Sequence, residues 1–460
     1  MAMNSSPTSF AGVRAPVSIG LTLAVVLVSV PGAAQLPAPG ARAFTNVTIV
    51  DGTGGPPRPG MTLVIRGDRI EDLFEASAKP LPTGVEVVDL TGRTVIPGLV
   101  EAHTHLQPLS RSRARLVEDL ERMLYSGVVA IREMAADARV SGELNRAARL
   151  GQIAGPDIYF AAVMMGPHFR SMDGPATAVT QGADGNPGWI QTVTRDTDIS
   201  LAVARAAGTG ATALKLYIEM EPALVVAITR EAHRQGLKVW AHPAVFPSTP
   251  IEVVRAGVDG ISHACGLAWQ HANLDTRRFA KVTRTNRPVF DPALVGAETT
   301  EMKALFEEMV RRGTLFDPTF SLYPGGRLSK LGCTPELMTT LARAASEAGV
   351  TMLTGTDWHT PPEAPLPSLH DEIIALVEHR ILSPSAAIQA ATRNGSLALG
   401  ILERAGTIER GKVADLLILD GDPLQDIRAI RNVHATVKRG RWYPRADYEA
   451  RRKAGVARQR

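Results

Sequence analysis

The sequence predicts an α/β protein: a (β/α)8 TIM-like barrel joined to a small discontinuous β-sandwich-like domain that the N- and C-terminal segments form together. The chain of 460 residues exceeds the ~250 residues of a typical barrel, which leaves room for a second module. Between residues 98 and 402, short apolar runs alternate with amphipathic stretches, as in parallel β–α units. Segments rich in β-forming residues flank this region, and neither flank is long enough to fold alone.

Residues 1–34 are predicted to be a signal peptide. Arg14 precedes an apolar run at residues 19–30, and the small residues Gly32 and Ala34 follow where a signal peptidase would cut. This run is shorter than the ~20 residues that a helix needs to span a bilayer, so an uncleaved membrane anchor is the less favoured alternative. We expect an exported protein, periplasmic or secreted, with no stable membrane span after signal cleavage.

The small domain is predicted to comprise residues 35–97 and 403–445. Turn signals separate its β segments, and the two parts are expected to share one sheet. The predicted β segments are residues 43–50, 61–66, 85–89, 405–412, 414–419 and 433–437. Residues 446–460 are predicted to be a basic, solvated tail.

The barrel is predicted at residues 98–402. Its candidate strands are residues 100–105, 128–134, 158–164, 211–217, 238–242, 260–264, 314–321 and 351–357. Amphipathic segments such as 111–125, 222–235 and 301–312 separate them. Eight such units favour a closed barrel over an open sheet.

Composition excludes several classes of protein. The net charge of +4 is concentrated in the last ten residues, which hold five basic and no acidic side chains, so we expect no nucleic-acid partner. The two cysteines, Cys265 and Cys333, are too few for a disulfide framework. We expect two separate, partly buried thiols, although an oxidising compartment would permit a bridge. No Gly-x-Ser-x-Gly motif is present, which disfavours a serine nucleophile.

Side chains that can bind metal fall at the ends of the candidate strands. They are His103, His105, Lys215, His242, His263 and Asp357. The C-terminal ends of barrel strands converge on one mouth, and imidazole and carboxylate groups suit zinc and similar divalent ions. A His-x-His pair alone is weak evidence, because two unrelated histidines would explain it, whereas the ordered set predicts a metal site. A bound ion would lower the pKa of its water to ~7, and Asp357 could accept and return the proton.

Several motifs resemble those of the amidohydrolase superfamily, in particular its imidazolonepropionase- and prolidase-like branch. The matching segments are residues 95–105, 127–134, 210–217, 239–242, 260–263, 353–357 and 406–423. The resemblance extends from about residue 44 to residue 443. One position departs from the family pattern: Glu101 stands where an aspartate is usual, and its extra methylene changes the support of a ligand.

The resemblance implies a role for each candidate. His103, His105 and Asp357 are similar to the ligands of the more buried metal, and His242 and His263 to those of a second. Lys215 resembles the lysine that such enzymes carboxylate with carbon dioxide. From the residues alone an ammonium group is a poor ligand, and the alternative for Lys215 is an ion pair with a nearby carboxylate.

Four further residues are candidates for substrate contact: Tyr217, His168, Arg170 and His359. Tyr217 ends the fourth candidate strand and the other three follow strands, and Arg170 could pair with a substrate carboxylate, but a solvated or packed side chain is the favoured interpretation of each.

The expected activity is hydrolysis of an amide or peptide-like C–N bond by metal-activated hydroxide, with Asp357 as general base and acid. We expect one or two divalent metal ions, with zinc favoured, and a small-molecule amide or dipeptide substrate. A mononuclear cyclic-amide hydrolase or an ester or lactone hydrolase on the same site is the alternative. A non-catalytic exported binding protein that retains the fold is less favoured. The sequence leaves a homo-oligomer open.

Overall fold

The structure, a computed structural model, describes residues 40–459 except 107–111, 173–185, 282, 284–285, 287, 321–331 and 358–359. The predicted signal peptide therefore lies outside the described residues, as does His359. None of the helices in the described part of the chain combines the length and the apolar character needed to cross a membrane.

The regular elements follow the predicted division into β-rich ends and an alternating middle. The strands are β1 (Ala41–Ile49), β2 (Arg58–Arg66), β3 (Arg69–Glu75), β4 (Glu86–Asp89), β5 (Arg93–Pro97), β6 (Leu99–Thr104), β7 (Val128–Glu133), β8 (Asp157–Met165), β9 (Ile190–Thr192), β10 (Ala213–Leu216), β11 (Lys238–Ala241), β12 (Gly260–Ser262), β13 (Leu315–Asp317), β14 (Leu416–Asp420), β15 (Val433–Lys438) and β16 (Arg441–Pro444).

The α-helices occupy the amphipathic stretches. They are α1 (Arg113–Leu124), α2 (Ala138–Arg149), α3 (Pro167–Met172), α4 (Ile199–Ala207), α5 (Pro222–Arg234), α6 (Pro250–Arg255), α7 (Thr300–Arg312), α8 (Pro335–Glu347), α9 (Leu369–Glu378), α10 (Pro384–Gln389), α11 (Gly395–Ala398) and α12 (Arg445–Gln459). Short 3-10 helices are Ala264–Gln270, Thr276–Phe279, Pro292–Leu294 and Ile427–Arg431, and Ala390–Asn394 is a π-helical turn.

Both ends of the chain contribute strands to one mixed sheet of order β16-β15-β14-β5-β1-β2-β3, with β4 paired to β1. At its centre β5 and β14 pair antiparallel, with Pro97 opposite Leu416. The edge strand β3 contacts the segment before β14, because the Ile70 N–H donates to the Lys412 carbonyl at 2.9 Å. Apolar side chains of these strands form a core cluster separate from that of the barrel. The predicted discontinuous β-domain is confirmed.

One predicted β segment is wrong. Residues 405–412 form turns and bends instead of a strand. Gly406 and Gly411 have φ angles of 96° and 87°, which belong to turns and not to an extended strand. The sequence also missed β3, β5 and β16, which are short strands paired with neighbours in this sheet.

The barrel contains seven parallel strands in the order β6-β7-β8-β10-β11-β12-β13. The eighth predicted strand, residues 351–357, forms one parallel bridge, between Met352 and Phe316 of β13. On its other side, the Ala102 N–H of β6 donates to the Thr354 carbonyl at 2.9 Å, so this segment connects the last strand to the first. The short strand β9, which the sequence did not predict, pairs with β8. The barrel fold is confirmed.

The indole of Trp240 fills the barrel interior. It is fully buried and packs with small side chains of other strands, among them Ala102, Ala161 and Ala213. Gly260 provides the space, because a Cβ there would lie 1.9 Å from Cζ3 of the indole. Since side chains fill the interior, the mouth at the C-terminal strand ends is the part of the barrel that can hold a site.

Gly98 is the single residue between β5 of the small sheet and β6 of the barrel. Its N–H donates to the Asp415 carbonyl at 2.9 Å, and a Cβ at this position would lie 2.4 Å from Cγ1 of Val129. The first strand of the barrel therefore continues directly from the central strand of the small sheet.

The predicted basic, solvated tail forms the helix α12, and most of its described side chains after Arg445 are exposed. Its first turn is anchored, because the Arg445 guanidinium donates to Ser126 Oγ at 2.8 Å. Tyr448 stacks on Tyr125 with ring centroids 5.8 Å apart, and Arg451 pairs with Glu121 at 2.8 Å. These contacts with the end of α1 and the loop after it give the basic segment partners that charge counting does not reveal.

A buried ion-pair network connects the small sheet to the barrel, and it gives a stability prediction. Lys438 Nζ lies 3.0 Å from Asp157 and 2.9 Å from Asp415, and Arg439 lies 2.6 Å from Asp157. Replacing Asp157 with alanine leaves these cations under-neutralised, and we expect a loss of about 3 kcal/mol in the free energy of unfolding, measured by guanidinium titration.

The control is Asp68→Ala, because the Asp68–Arg69 pair is half exposed and contributes less than about 1 kcal/mol. Burial opposes ionisation of Asp157, but Lys438 and Arg439 outweigh it and lower its pKa. The stabilisation is therefore present above the ordinary pKa of ~3.9 and is lost as the pH falls through the lower folded-state value. Equal losses in both variants at pH 7 would contradict the prediction.

Candidate metal centre

Three of the predicted ligands form a compact group at the barrel mouth. His105 Nε2 lies 2.7 Å and His103 Nε2 lies 3.4 Å from Asp357 Oδ1. One ligand atom from each of the three residues lies within 4.8 Å of the others, which is a separation that a single metal ion can bridge. His103 is the next-to-last residue of β6 and His105 follows the strand, whereas Asp357 ends the segment that connects β13 to β6. The fold thus brings these distant positions together.

Two further histidines adjoin this group. His263 Nδ1 lies 3.7 Å from Asp357 Oδ2, and the His263 ring centroid is 5.1 Å from that of His103. The His242 ring, which follows β11, is 4.7 Å from the His263 ring and nearly perpendicular to it. Burial lowers the pKa of His242 and that of His263, so both imidazoles are neutral at pH 7 and present free nitrogen lone pairs.

The side chain of Lys215 on β10 is fully buried, and its Nζ has no hydrogen-bond partner among the described residues. Burial lowers the pKa of Lys215 to about 7, although the charge of Asp357 opposes the shift. A buried amine without a partner is costly, so the position favours a modified or ligating lysine over the ion pair that was the alternative. This orphaned amine and the neutral imidazoles fit a divalent metal site.

His105 shows how strongly the cluster favours a positive charge. Although burial opposes the charged form, Asp357 and Glu133 raise the pKa of His105 to about 10. A divalent cation competes with this proton, because both need the lone pair of an imidazole nitrogen that faces the carboxylate.

Two metal-capable residues have left-handed backbone conformations: His263 has a φ of 78° and Asp357 a φ of 48°. Such values are uncommon for residues other than glycine and persist only when neighbours enforce them. The His263 N–H donates to the Asp317 carbonyl at 2.8 Å, and the Asp357 N–H donates to the His103 carbonyl at 2.7 Å. These bonds keep both side chains at the mouth.

Glu101, where the family pattern has aspartate, has a defined structural role. Its carboxylate accepts hydrogen bonds from the His103 N–H, the Thr356 N–H and the Thr356 hydroxyl, each at 3.0 Å. It is buried and connects the strand that carries His103 to the segment that carries Asp357. Although glutamate is one methylene longer than aspartate, Glu101 therefore still supports the backbone next to His103 and Asp357.

Sequence reasoning missed two buried carboxylates that support the ligands. Asp317 Oδ2 lies 2.7 Å from His103 Nδ1, and Glu133 Oε1 lies 3.6 Å from His105 Nδ1. Both residues end barrel strands, β13 and β7, and this position is the signal that could have identified them. By accepting the Nδ1–H of His103, Asp317 leaves the Nε2 lone pair directed at Asp357.

This contact predicts that Asp317→Asn weakens metal binding. An amide can present its N–H₂ group to His103 Nδ1 and so favour the wrong tautomer, and we expect zinc affinity to fall about 10–100-fold. Competition with a chromophoric chelator measures the effect. The matched control is Asp259→Asn, because Asp259 lies 2.8 Å from His233 in a second carboxylate–histidine pair that is partly exposed. Equal zinc affinities for wild type and Asp317→Asn would refute the positioning role.

The candidates for substrate contact are placed differently. Tyr217 lines the cavity beside the histidines, with its ring centroid 4.4 Å from that of His242. His168 instead pairs with Glu219 at 2.5 Å, and the Arg170 guanidinium donates to the Ile190 carbonyl at 2.9 Å. Neither is among the described residues that line the cavity, so nothing here supports a substrate contact for them. His359 lies outside the described residues.

A cavity of about 270 Å³ opens next to His242, His263 and Asp357. Its other described lining residues are Tyr217, Ile218, Pro243, Ala244, Phe246, Cys265, Gly266, Trp269, Pro288, Phe290 and Cys333.

The expectation of two separate thiols is wrong, because Cys265 and Cys333 form a disulfide. Their Cα atoms lie 5.7 Å apart, within the range that a disulfide bridges. Cys265 is in the 3-10 helix after β12 and Cys333 precedes α8, so the barrel brings them together across 68 positions. Sequence spacing alone does not reveal that approach.

Comparison with known proteins agrees with this architecture. The sequence model of the family described as "Amidohydrolase family" matches residues 94–443. An imidazolonepropionase from Deinococcus radiodurans is 23% identical over 383 residues, which cover 79% of this chain and 86% of that protein. Another, from Flavobacterium johnsoniae, is 21% identical over 77% of this chain and 84% of its own length.

Solved structures share the fold. A Xaa-Pro dipeptidase with methionine bound in its active site has a TM-score of 0.67 and 22% identity, covering 88% of this chain and 100% of that one. The ochratoxinase of A. niger has a TM-score of 0.68 and 21% identity, covering 88% of this chain and 96% of that one.

Proposed function

The chain belongs to the amidohydrolase family and is a metal-dependent hydrolase of C–N bonds, of the imidazolonepropionase- and prolidase-like branch; we propose that it cleaves an amide or peptide-like bond of a small molecule at the barrel mouth. The observation that carries the proposal is the meeting of His103, His105 and Asp357 within reach of one ion, with two neutral histidines beside them.

In this proposal His103, His105 and Asp357 would hold one ion, and His242 and His263 would hold a second. Lys215, once converted to a carbamate by carbon dioxide, would supply a further carboxylate-like ligand. Its buried Nζ, without a partner among the described residues, supports this assignment. Zinc is the proposed metal, since imidazole and carboxylate ligands suit it. When bound, a divalent ion makes water reactive near neutral pH and polarises the carbonyl group.

Asp357 moves the proton in this proposal. Burial opposes its ionisation, but His103 and His105 hold the pKa of Asp357 well below its usual range, so the carboxylate is ionised at neutral pH. Oδ1 is engaged by His105, whereas Oδ2 is 3.7 Å from His263. Oδ2 can therefore take the proton from the attacking water and deliver it to the departing nitrogen. Tyr217 lines the cavity and is proposed to contact the substrate.

A single-metal variant of the site is the second candidate, and one observation favours it. Among the described histidines, cysteines and carboxylates, His103, His105 and Asp357 are the one group of three that could hold an ion with ligand atoms all within 4.8 Å of one another. A mononuclear site of this kind would suit a cyclic amide, an ester or a lactone equally well. Metal analysis separates it from the two-metal site.

The test is turnover by zinc- or manganese-loaded protein of a panel of amides, dipeptides, cyclic amides, esters and lactones. We expect hydrolysis of at least one C–N substrate and loss of that activity after chelation. The outcome that contradicts the proposal is ester or lactone hydrolysis alone. No turnover of any compound would instead favour an exported binding protein that retains the fold.

We also propose that the protein is exported, to the periplasm or beyond. The apolar run at residues 19–30 supports this, and so does the Cys265–Cys333 disulfide, since disulfides persist in oxidising compartments. N-terminal sequencing of the protein from its native host is expected to find a mature chain that starts near Gln35. An intact N-terminus on cytoplasmic protein would contradict export.

A further inference from the structure

We propose that the cavity beside the metal centre is a specificity pocket for one apolar group, preferably an aromatic ring, next to the scissile C–N bond. This inference rests on the proposed function. One end of the cavity is formed by His242, His263 and Asp357, and the rest is lined mainly by carbon. A bond held at the metal centre therefore places a neighbouring substituent against the apolar wall.

The wall is aromatic and rigid. Trp269 contacts Phe246 and Phe290 nearly at right angles, with ring centroids 5.0 and 5.7 Å away. Phe279 supports Trp269 from behind at 5.1 Å. Edge-to-face contacts of this kind are the geometry that aromatic rings prefer. Trp269 is only 6% exposed, so its aromatic neighbours hold the indole in place at the cavity wall.

The disulfide is part of the same wall. Cys265 and Cys333 both line the cavity. The bond connects the 3-10 helix that carries Trp269 to the chain just before α8. It therefore fixes Trp269 relative to the part of the cavity wall that Cys333 forms. Gly266 lets this helix pack closely against Pro243, because a Cβ at position 266 would lie 2.8 Å from Cγ of Pro243.

Charge and size define the substituent. Of the described lining residues, the ones that ionise are His242, His263, Asp357 and the Tyr217 phenol, so the aromatic wall offers no partner to a buried charge. A carboxylate or ammonium placed there loses its hydration without compensation. The volume of about 270 Å³ is at the small end of ligand sites, which suits a single ring better than a larger group.

The experiment compares dipeptides and N-acyl amino acids that carry phenylalanine, alanine, aspartate or lysine in turn on each side of the scissile bond. On the side of the scissile bond whose substituent enters the pocket, we expect the kcat/KM of the phenylalanine substrate to exceed that of the alanine substrate by about 10–200-fold. It should exceed the kcat/KM of the aspartate substrate by more. Metal-loaded wild-type enzyme is used throughout.

Two variants test the wall itself. Trp269→Ala removes the aromatic face of the cavity, and Ala244→Leu fills the cavity. If Trp269→Ala fails to fold, Ala244→Leu still tests the pocket. We expect the phenylalanine-to-alanine ratio of kcat/KM to fall at least about tenfold in Ala244→Leu. The control Val226→Leu adds the same kind of bulk on the exposed face of α5 and is expected to keep the wild-type ratio.

The outcomes separate the two proposals. The pocket is overturned if, on both sides of the bond, substrates with aspartate or lysine have a kcat/KM equal to or above that of phenylalanine. An unchanged phenylalanine-to-alanine ratio in Ala244→Leu also overturns it. Neither result contradicts the proposed hydrolase activity. Absence of hydrolysis of every compound overturns both.

Discussion

Replacement of Asp357 by asparagine is expected to lower kcat by about 10²–10⁴-fold, the contribution of a positioned acid–base group, with a further loss from weaker metal binding. The amide cannot accept the proton of the attacking water, and it cannot return one to the departing nitrogen. It also carries no charge to pair with His105, which lies 2.7 Å away. Steady-state kinetics on the best substrate of the panel measure the effect.

The matched control is Asp420→Asn, which makes the same chemical change at an exposed carboxylate of β14 paired with Arg93. We expect wild-type kcat for this control and wild-type circular dichroism for both variants. Retention of more than about a tenth of wild-type kcat by Asp357→Asn at full metal loading would exclude Asp357 as the acid–base group.

Lys215→Ala is expected to lower the metal content from about two ions per chain to about one. Because Lys215 is proposed to be a direct ligand, we expect activity to fall by more than the about 10–100-fold that follows loss of a residue that only supports a ligand. A short carboxylic acid such as propionate can occupy the space of the missing side chain and carbamate, and it is expected to restore part of the activity. Metal analysis and kinetics with added propionate provide the two readouts.

The control for this variant is Lys303→Ala, an exposed lysine on α7 paired with Glu298, which should keep both metal content and activity. A content near one ion per chain in both wild type and Lys215→Ala would rule out the bridged pair of metals. It would leave the mononuclear hydrolase as the better description of the site.

Most of the candidate site could be predicted because each candidate ligand lies near a strand end, where apolar runs stop and one polar residue follows. His242 and His263 illustrate this, since each follows directly on a short buried strand. The seven barrel strands could be identified for the same reason: buried parallel strands are continuous apolar runs that stand out between amphipathic helices.

Residues that act through tertiary contacts could not be predicted in the same way. The strand-end position of Asp317 marks it as a candidate for the barrel mouth, but the sequence does not reveal that it faces His103, 214 positions away. The disulfide depends on how loops after two strands approach each other, which periodicity does not encode. The helical form of α12 could not be predicted from its charges, because charges do not reveal the aromatic and hydrogen-bonding contacts of Tyr448 and Arg445.

The direct passage from β5 through Gly98 into β6 has a consequence for biosynthesis. His103 belongs to a strand whose continuation, β5, pairs with β14, and the ribosome makes β14 only after the entire barrel sequence. Although β5 also pairs with β1 and β6 pairs with β7, the β5–β14 pairing can form only when the polypeptide is nearly complete. We expect nascent or C-terminally truncated chains to retain metal poorly, so that zinc acquisition follows release of the finished chain. Limited proteolysis and metal content of chains ending before residue 416 would reveal this order.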